Sequence, residues 1–205
     1  MSRAVGRGLR FARASVGVPV PTASSSDGPA VQADLSPVIA ATTQWLMCAY
    51  PASGGALASA LCEAQARQAV TVAARLRYPT AMDAGLMAMS GPGGSGRLDW
   101  ITGAEGTAAA DPDEYAWRTW VDEVVTSWAA CLLTDPELAA QAVVALAEAG
   151  PAAGTPVEFR RLLEPDERDR RAAALLRHPD LLAPVAELHL DQLIDRLGRG
   201  QALVA

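Results

Sequence analysis

The stretch closest to a chemical signature is Gly91-Pro92-Gly93-Gly94-Ser95-Gly96, which fits the spelling GxGxxG. Such glycines serve a dinucleotide when a strand precedes them and a helix opens at their end, so that backbone N–H groups meet the pyrophosphate. Here Ala81–Ser90 reads as helix, Arg97–Ile101 carries no helix-start signal, and no βαβ pattern surrounds the motif. A loop is therefore the expectation. Ser95 is not in a nucleophile elbow either, because Gly93 stands two residues before it but Arg97 two residues after.

Only His178 and His189 could supply imidazole chemistry, and neither stands four residues from a second ligand on a helix. His178 falls at a helix end and His189 at the edge of an apolar face, positions that suit structural histidines. Acids gather at Asp111, Asp113 and Glu114, and again at Asp122 and Glu123. Glu114, Arg118 and Asp122 follow each other at i,i+4, the spacing of a salt-bridged solvent face. The first three acids also occupy the positive end of a helix, where carboxylates are stabilising. A magnesium or general-acid role for them is conceivable in chemistry but selected by nothing in the pattern. The run Asp166-Glu167-Arg168-Asp169 is interleaved with arginines and reads as solvated. No catalytic residue, metal site or cofactor is assigned.

Three patterns suit recognition better than catalysis. Trp117, Trp120 and Trp128 fall on one face of a helix expected over 112–133, as core or as a ligand or partner surface. Glu187, Asp191 and Asp195 form a like-charge stripe at i, i+4, i+8 on the last helix, with no evident local cation. Arg3, Arg7, Arg10 and Arg13 make a basic tail, and pairing of this tail with the acidic stripe is expected to be weak and salt-sensitive.

Composition narrows the chemistry further. The chain of 205 residues holds no lysine and no asparagine, and all 17 basic residues are arginine. That removes a lysine Schiff base, the P-loop lysine and Asn-linked glycosylation. Residues 1–26 carry four arginines and no acid, whereas the remainder carries 13 arginines against 23 acids. An acidic body disfavours nucleic-acid binding through the folded domain, since phosphates need cations. Cys48, Cys62 and Cys131 are odd in number and each lies among apolar residues of an expected helix, the pattern of buried free thiols in a reducing, cytoplasmic setting. No apolar run reaches the ~20 residues a transmembrane helix requires.

The elements that must position these residues are helical. Alanine, at 43 residues, is the best helix former and lets helices approach closely, while β-branched and aromatic residues are few. Start signals recur: Ser36-Pro37 opens a helix to about Tyr50; a second runs from about Ala56 to Arg77; Thr80 with Asp83 forms a capping box for a third to Ser90. Residues 91–110, with six glycines, read as irregular. Asp111-Pro112, Asp135-Pro136, Thr155-Pro156 and Glu164-Pro165 open four more helices, and Asp180 caps a last one over about 181–197. Leu132–Leu138 and Leu175–Leu181 share letters 43 residues apart, mostly helix-stop and helix-start chemistry rather than a repeat.

The expected fold is all-α: an irregular bundle of six to seven helices over 34–198, wrapped around the 112–133 helix. A disordered basic tail and linker (1–33) precedes it and a short tail (199–205) follows. Three functions fit such a chain. The first is a non-catalytic interaction or adaptor protein acting through a protein partner or self-association. The second is a helical small-molecule-binding regulator with a Trp-lined pocket. The third is a metal-assisted enzyme built on the acids near 111–123.

Overall fold

The computed structural model describes residues 34–104, 112–149, 158–173, 176 and 178–202. The basic tail and linker over 1–33, with Arg3, Arg7, Arg10 and Arg13, lie outside the described residues, as does Asp111. Among the described residues every regular element is helical. Ten α-helices run in order: α1 (Ser36–Ala49), α2 (Gly55–Arg77), α3 (Ala81–Ser90), α4 (Gly96–Thr102), α5 (Glu123–Thr134), α6 (Pro136–Glu148), α7 (Arg160–Leu163), α8 (Glu167–Ala172), α9 (Pro179–Ala186) and α10 (Leu190–Ala202). A 3-10 helix spans Pro112–Trp120.

The element count exceeds six to seven because two expected helices are divided. The 112–133 helix is a 3-10 segment followed by α5, with Val121 and an extended Asp122 between them. Asp122 is the cause: its Oδ1 accepts the Val125 N–H at 3.0 Å, and its Oδ2 takes the Tyr78 hydroxyl. An aspartate that caps a new helix from an extended backbone competes with continuation of the old one. The last helix is divided at Glu187–His189. There Ser127 Oγ of α5 donates to the Ala186 carbonyl at 2.9 Å, and Trp128 Nε1 donates to the His189 carbonyl at 3.0 Å. Side chains of α5 thus satisfy carbonyls that a continuous helix would have used itself.

Several start signals hold and others shift. Thr80 and Asp83 form the reciprocal capping box, and Asp135 caps α6 through the N–H groups of Glu137 and Leu138. In α1 Ser36 is the first helical residue rather than the cap, and its N–H is taken by Asp34 Oδ1 at 2.9 Å. The helix expected from Glu164-Pro165 begins after Asp166, which makes a capping box with Asp169. Asp180 lies within the first turn of α9 and His178 occupies the position before it. Residues expected to be irregular form α4, and α10 extends through residues expected to be tail, as far as Ala202.

The centre of the bundle is α2, not the 112–133 segment. Roughly 35 Å long at 1.5 Å per residue, it packs against α1, α5, α6, α7 and α8. Ala66, Ala69, Ala73 and Ala74 are fully buried along it. Their small side chains let several helices approach one axis, which explains where the alanine richness goes. On α5 the stretch Val125–Leu133 is buried throughout, so that helix is enclosed by α2, α6 and α9. Cys62 and Cys131 are buried and burial pushes both thiols up to about 11, so neither is a ready thiolate. Cys48 differs from the expectation: it is exposed, because α1 turns the opposite face, with Trp45 and Leu46, to the core.

Candidate functional site

Polar groups converge at one buried and one part-buried place, and both serve the scaffold. At the first, Asp99 of α4 accepts from Trp45 Nε1 at 2.9 Å, from Ser95 Oγ at 2.7 Å and from the Arg118 guanidinium. Burial opposes ionisation of Asp99, but the hydrogen bonds from Arg118, Ser95 and Trp45 outweigh it and hold the carboxyl below its ordinary range. Arg118 is sandwiched further, 5.3 Å from the Trp117 ring centroid and 5.9 Å from that of Tyr115. The cluster ties α1, α4 and the 3-10 helix together. It also replaces the expected Glu114–Arg118–Asp122 face: Arg118 turns to Asp99, and Asp122 is buried as a cap.

The glycine motif is explained by the same junction. A helix does open at Gly96, but α3 and not a strand precedes the loop, so the dinucleotide arrangement is absent. Gly93 and Gly94 have φ of 109° and 91°, a region that L side chains avoid, and the Gly94 N–H donates to the Val121 carbonyl at 3.1 Å. The glycines let the loop dock against the end of the 3-10 helix.

The second convergence is at the α9–α10 turn. His189 Nε2 lies 2.7 Å from Glu123 Oε1, which also accepts from Arg97 at 3.0 Å. Ser127 is close by, and a carboxylate, an imidazole and a hydroxyl would make a hydrolytic set. The hydroxyl is committed elsewhere: Ser127 Oγ donates to the Ala186 carbonyl and accepts the His189 backbone N–H at 3.1 Å. The imidazole does not reach it as a base, so the group works as a clamp on the turn. Among the described residues no three His, Cys, Asp or Glu side chains come together as a metal cage. The side chains of Asp113 and Glu114 lie outside the described set. Asp169, expected in solvent, is fully buried and paired with Arg161.

The tryptophan stripe separates with its helix. Trp117 and Trp120 remain neighbours at i,i+3 on the 3-10 segment and are half-buried, whereas Trp128 is buried in α5. Trp120 lines a cleft of about 390 Å³ with Met89, Gly91, Gly93 and Thr119. The acidic stripe separates too. Glu187 stands in the turn, apart from Asp191 and Asp195 on α10, and all three are exposed. Asp195 shares its cleft with Arg196 and Arg199, so cations are at hand locally.

What the sequence reading missed is the outer face of α3. This helix packs inward through Ala84 and Met87, yet Met82, Leu86 and Met89 are 75%, 58% and 85% exposed. Their i, i+4, i+7 spacing puts them within about 60° of one another around the axis. The signal was available: within Ala81–Ser90 only Asp83 is charged, and apolar residues cover more of the circumference than one core contact needs. Trp100 of α4 is a further large apolar side chain in solvent, at 70% exposure.

Among the described residues no helix is long and apolar enough to cross a membrane. No protein-family model matches the chain, and no curated protein or solved structure matches it either.

Proposed function

We propose that the protein is a non-catalytic helical interaction protein whose docking surface is the outer face of α3, and that this face takes a second copy of the chain. The observation that carries the reading is the exposed Met82–Leu86–Met89 stripe. Apolar side chains aligned on one exposed face mark interaction sites more often than single scattered ones do. Methionine also adapts its shape to a partner at low cost.

A second copy fits the stripe for two reasons. Leu86 sits near its middle, four residues after Met82 and three before Met89, so an antiparallel pair would place Met82 of one copy against Met89 of the other. An isologous interface requires such self-complementarity. Charge on the helix itself also presents little conflict: Asp83, the one charged residue of α3, is engaged by the Thr80 N–H and hydroxyl. A ten-residue helix alone covers less than a standard interface, so association in the micromolar range is expected.

Sedimentation velocity across a wide concentration range tests this. The wild-type chain should shift from monomer to dimer as concentration rises, and Leu86→Glu should remain monomeric with an unchanged helical spectrum. A wild-type chain that stays monomeric, or a dimer indifferent to Leu86→Glu, contradicts the reading.

A second reading, a small-molecule-binding regulator, is favoured by one observation: Trp120 and Met89 line a cleft of about 390 Å³, a volume within the range of ligand pockets. Its test is quenching of tryptophan fluorescence in wild type but not in Trp120→Phe.

A further inference from the structure

Three arginines gather where α10 meets the end of α2. A cleft of about 300 Å³ is lined there by Arg77, Arg196 and Arg199, with Asp83 and Asp195 as its carboxylates and Trp128 as its aromatic wall. Arg196 is half-buried and its Nε donates to the Leu76 carbonyl at 3.1 Å; Arg199 Nε donates to the Asp195 carbonyl at 3.2 Å. Both side chains are therefore anchored through Nε onto backbone, three residues apart on one helix. Anchoring at Nε leaves the two terminal nitrogens of each guanidinium without a hydrogen bond to any described residue.

Neither carboxylate is in direct contact with these arginines. No ion pair among the described residues involves Arg77, Arg196 or Arg199, although Asp195 and Arg199 stand at the i,i+4 spacing that usually forms one. Asp83 is occupied by the α3 capping box, and Arg77 lies 5.8 Å from the Tyr78 ring centroid. Three positive charges thus face two negative ones, with two of the guanidinium groups held through Nε on backbone. A guanidinium matches the oxygens of carboxylates and phosphates in a way an ammonium does not, and pre-orientation lowers the entropy lost on binding.

We propose that this cleft is an oxyanion-binding site, in which Arg196 and Arg199 grip the carboxylate or phosphate group of a small ligand and Arg77 supplies the third charge. The bland alternative is that Arg196 only caps the last carbonyls of α2, a role arginine fills at many helix ends. That role needs neither Arg199 nor Arg77 in the same cleft.

The experiment is an NMR titration of the full chain with inorganic phosphate and, in parallel, with succinate, using sodium chloride at matched ionic strength as the control. Saturable shifts at the arginine Nε–H signals and at the amides of 192–199 are expected with phosphate, succinate or both, and not with chloride. Saturation by phosphate alone identifies a phosphate site, and saturation by succinate alone a carboxylate site. Arg199→Gln, exposed and leaving the Arg196–Leu76 contact intact, should weaken binding about tenfold, the loss of one charge-assisted hydrogen bond. Thermal unfolding should show that variant folded as wild type. Shifts that fail to saturate, that chloride reproduces, or that survive Arg199→Gln unchanged overturn the proposal and leave Arg196 as a helix cap.

Discussion

Asp99 shows at the residue scale why chemistry-bearing letters need not do chemistry. Its carboxylate, in contact with an arginine, an indole and a hydroxyl, has the makings of an active-site acid, yet the arginine and the indole tie α4 to two other elements and the hydroxyl is that of its own N-cap residue, Ser95. Its carboxyl is held below the ordinary range, so its stabilising contribution is complete above about pH 4 and is lost as pH falls through the folded value. Asp99→Asn should cost about 2 kcal/mol at neutral pH, the low end for a partly screened buried pair. The same variant should lose less stability than wild type between about pH 4 and pH 2, which denaturant titrations at several pH values would measure. Trp128 belongs at the same scale. With its indole N–H on the His189 carbonyl and its ring buried, Trp128→Ala should cost about 3–5 kcal/mol, whereas half-buried Trp120 should cost distinctly less in the same denaturation assay.

Helices were legible as elements because their starts are written in local chemistry. Thr80 with Asp83 and Asp135 with Pro136 act through side chains within three residues of the backbone groups they satisfy. The two broken helices were not legible, and for a common reason. Each break is held by groups far away in the chain: the Tyr78 hydroxyl joins Asp122, whose own cap on Val125 is local, and Ser127 and Trp128 bind the 186–189 turn. Periodicity across 112–133 and 181–197 reports an apolar face but not whether a distant donor will take over a carbonyl. The candidate site divides along the same line. Trp117, Trp120 and Trp128 were identifiable by type and not by their separation onto two elements, with Trp120 and Trp128 at different clefts, while the α3 face was visible only as an excess of apolar letters around one helix. A direct check on the first break is Asp122→Ala. Loss of the cap on α5 should cost about 1–2 kcal/mol in equilibrium unfolding. It should also release the Tyr78 hydroxyl, whose ionisation burial and then the Asp122 hydrogen bond push upward, so the tyrosine should titrate at lower pH in the variant.

For the whole molecule, the arrangement places an alanine-lined α2 at the centre, encloses α5, and leaves α3 at the surface with an apolar face turned outward. Met82, Leu86 and Met89 stand in solvent in the single chain, and the proposed antiparallel pairing of two α3 helices would cover all three in both copies. That geometry makes a positional statement sharper than any change in mass: Leu86 should lie near the two-fold axis and so meet its own counterpart. The measurement is disulfide trapping with Leu86→Cys, made in a Cys48→Ser background because Cys48 is exposed. Paired α3 helices would bring the two introduced thiols within the ~4.4–6.8 Å Cα separation that a disulfide spans. Mild oxidation at a concentration where sedimentation shows the dimer should therefore yield a covalent dimer, while Met82→Cys in the same background yields far less, since position 82 faces 89 rather than itself. A Leu86→Cys chain that stays monomeric on oxidation, or crosslinks no better than Met82→Cys, would contradict the docking of α3 on a second copy.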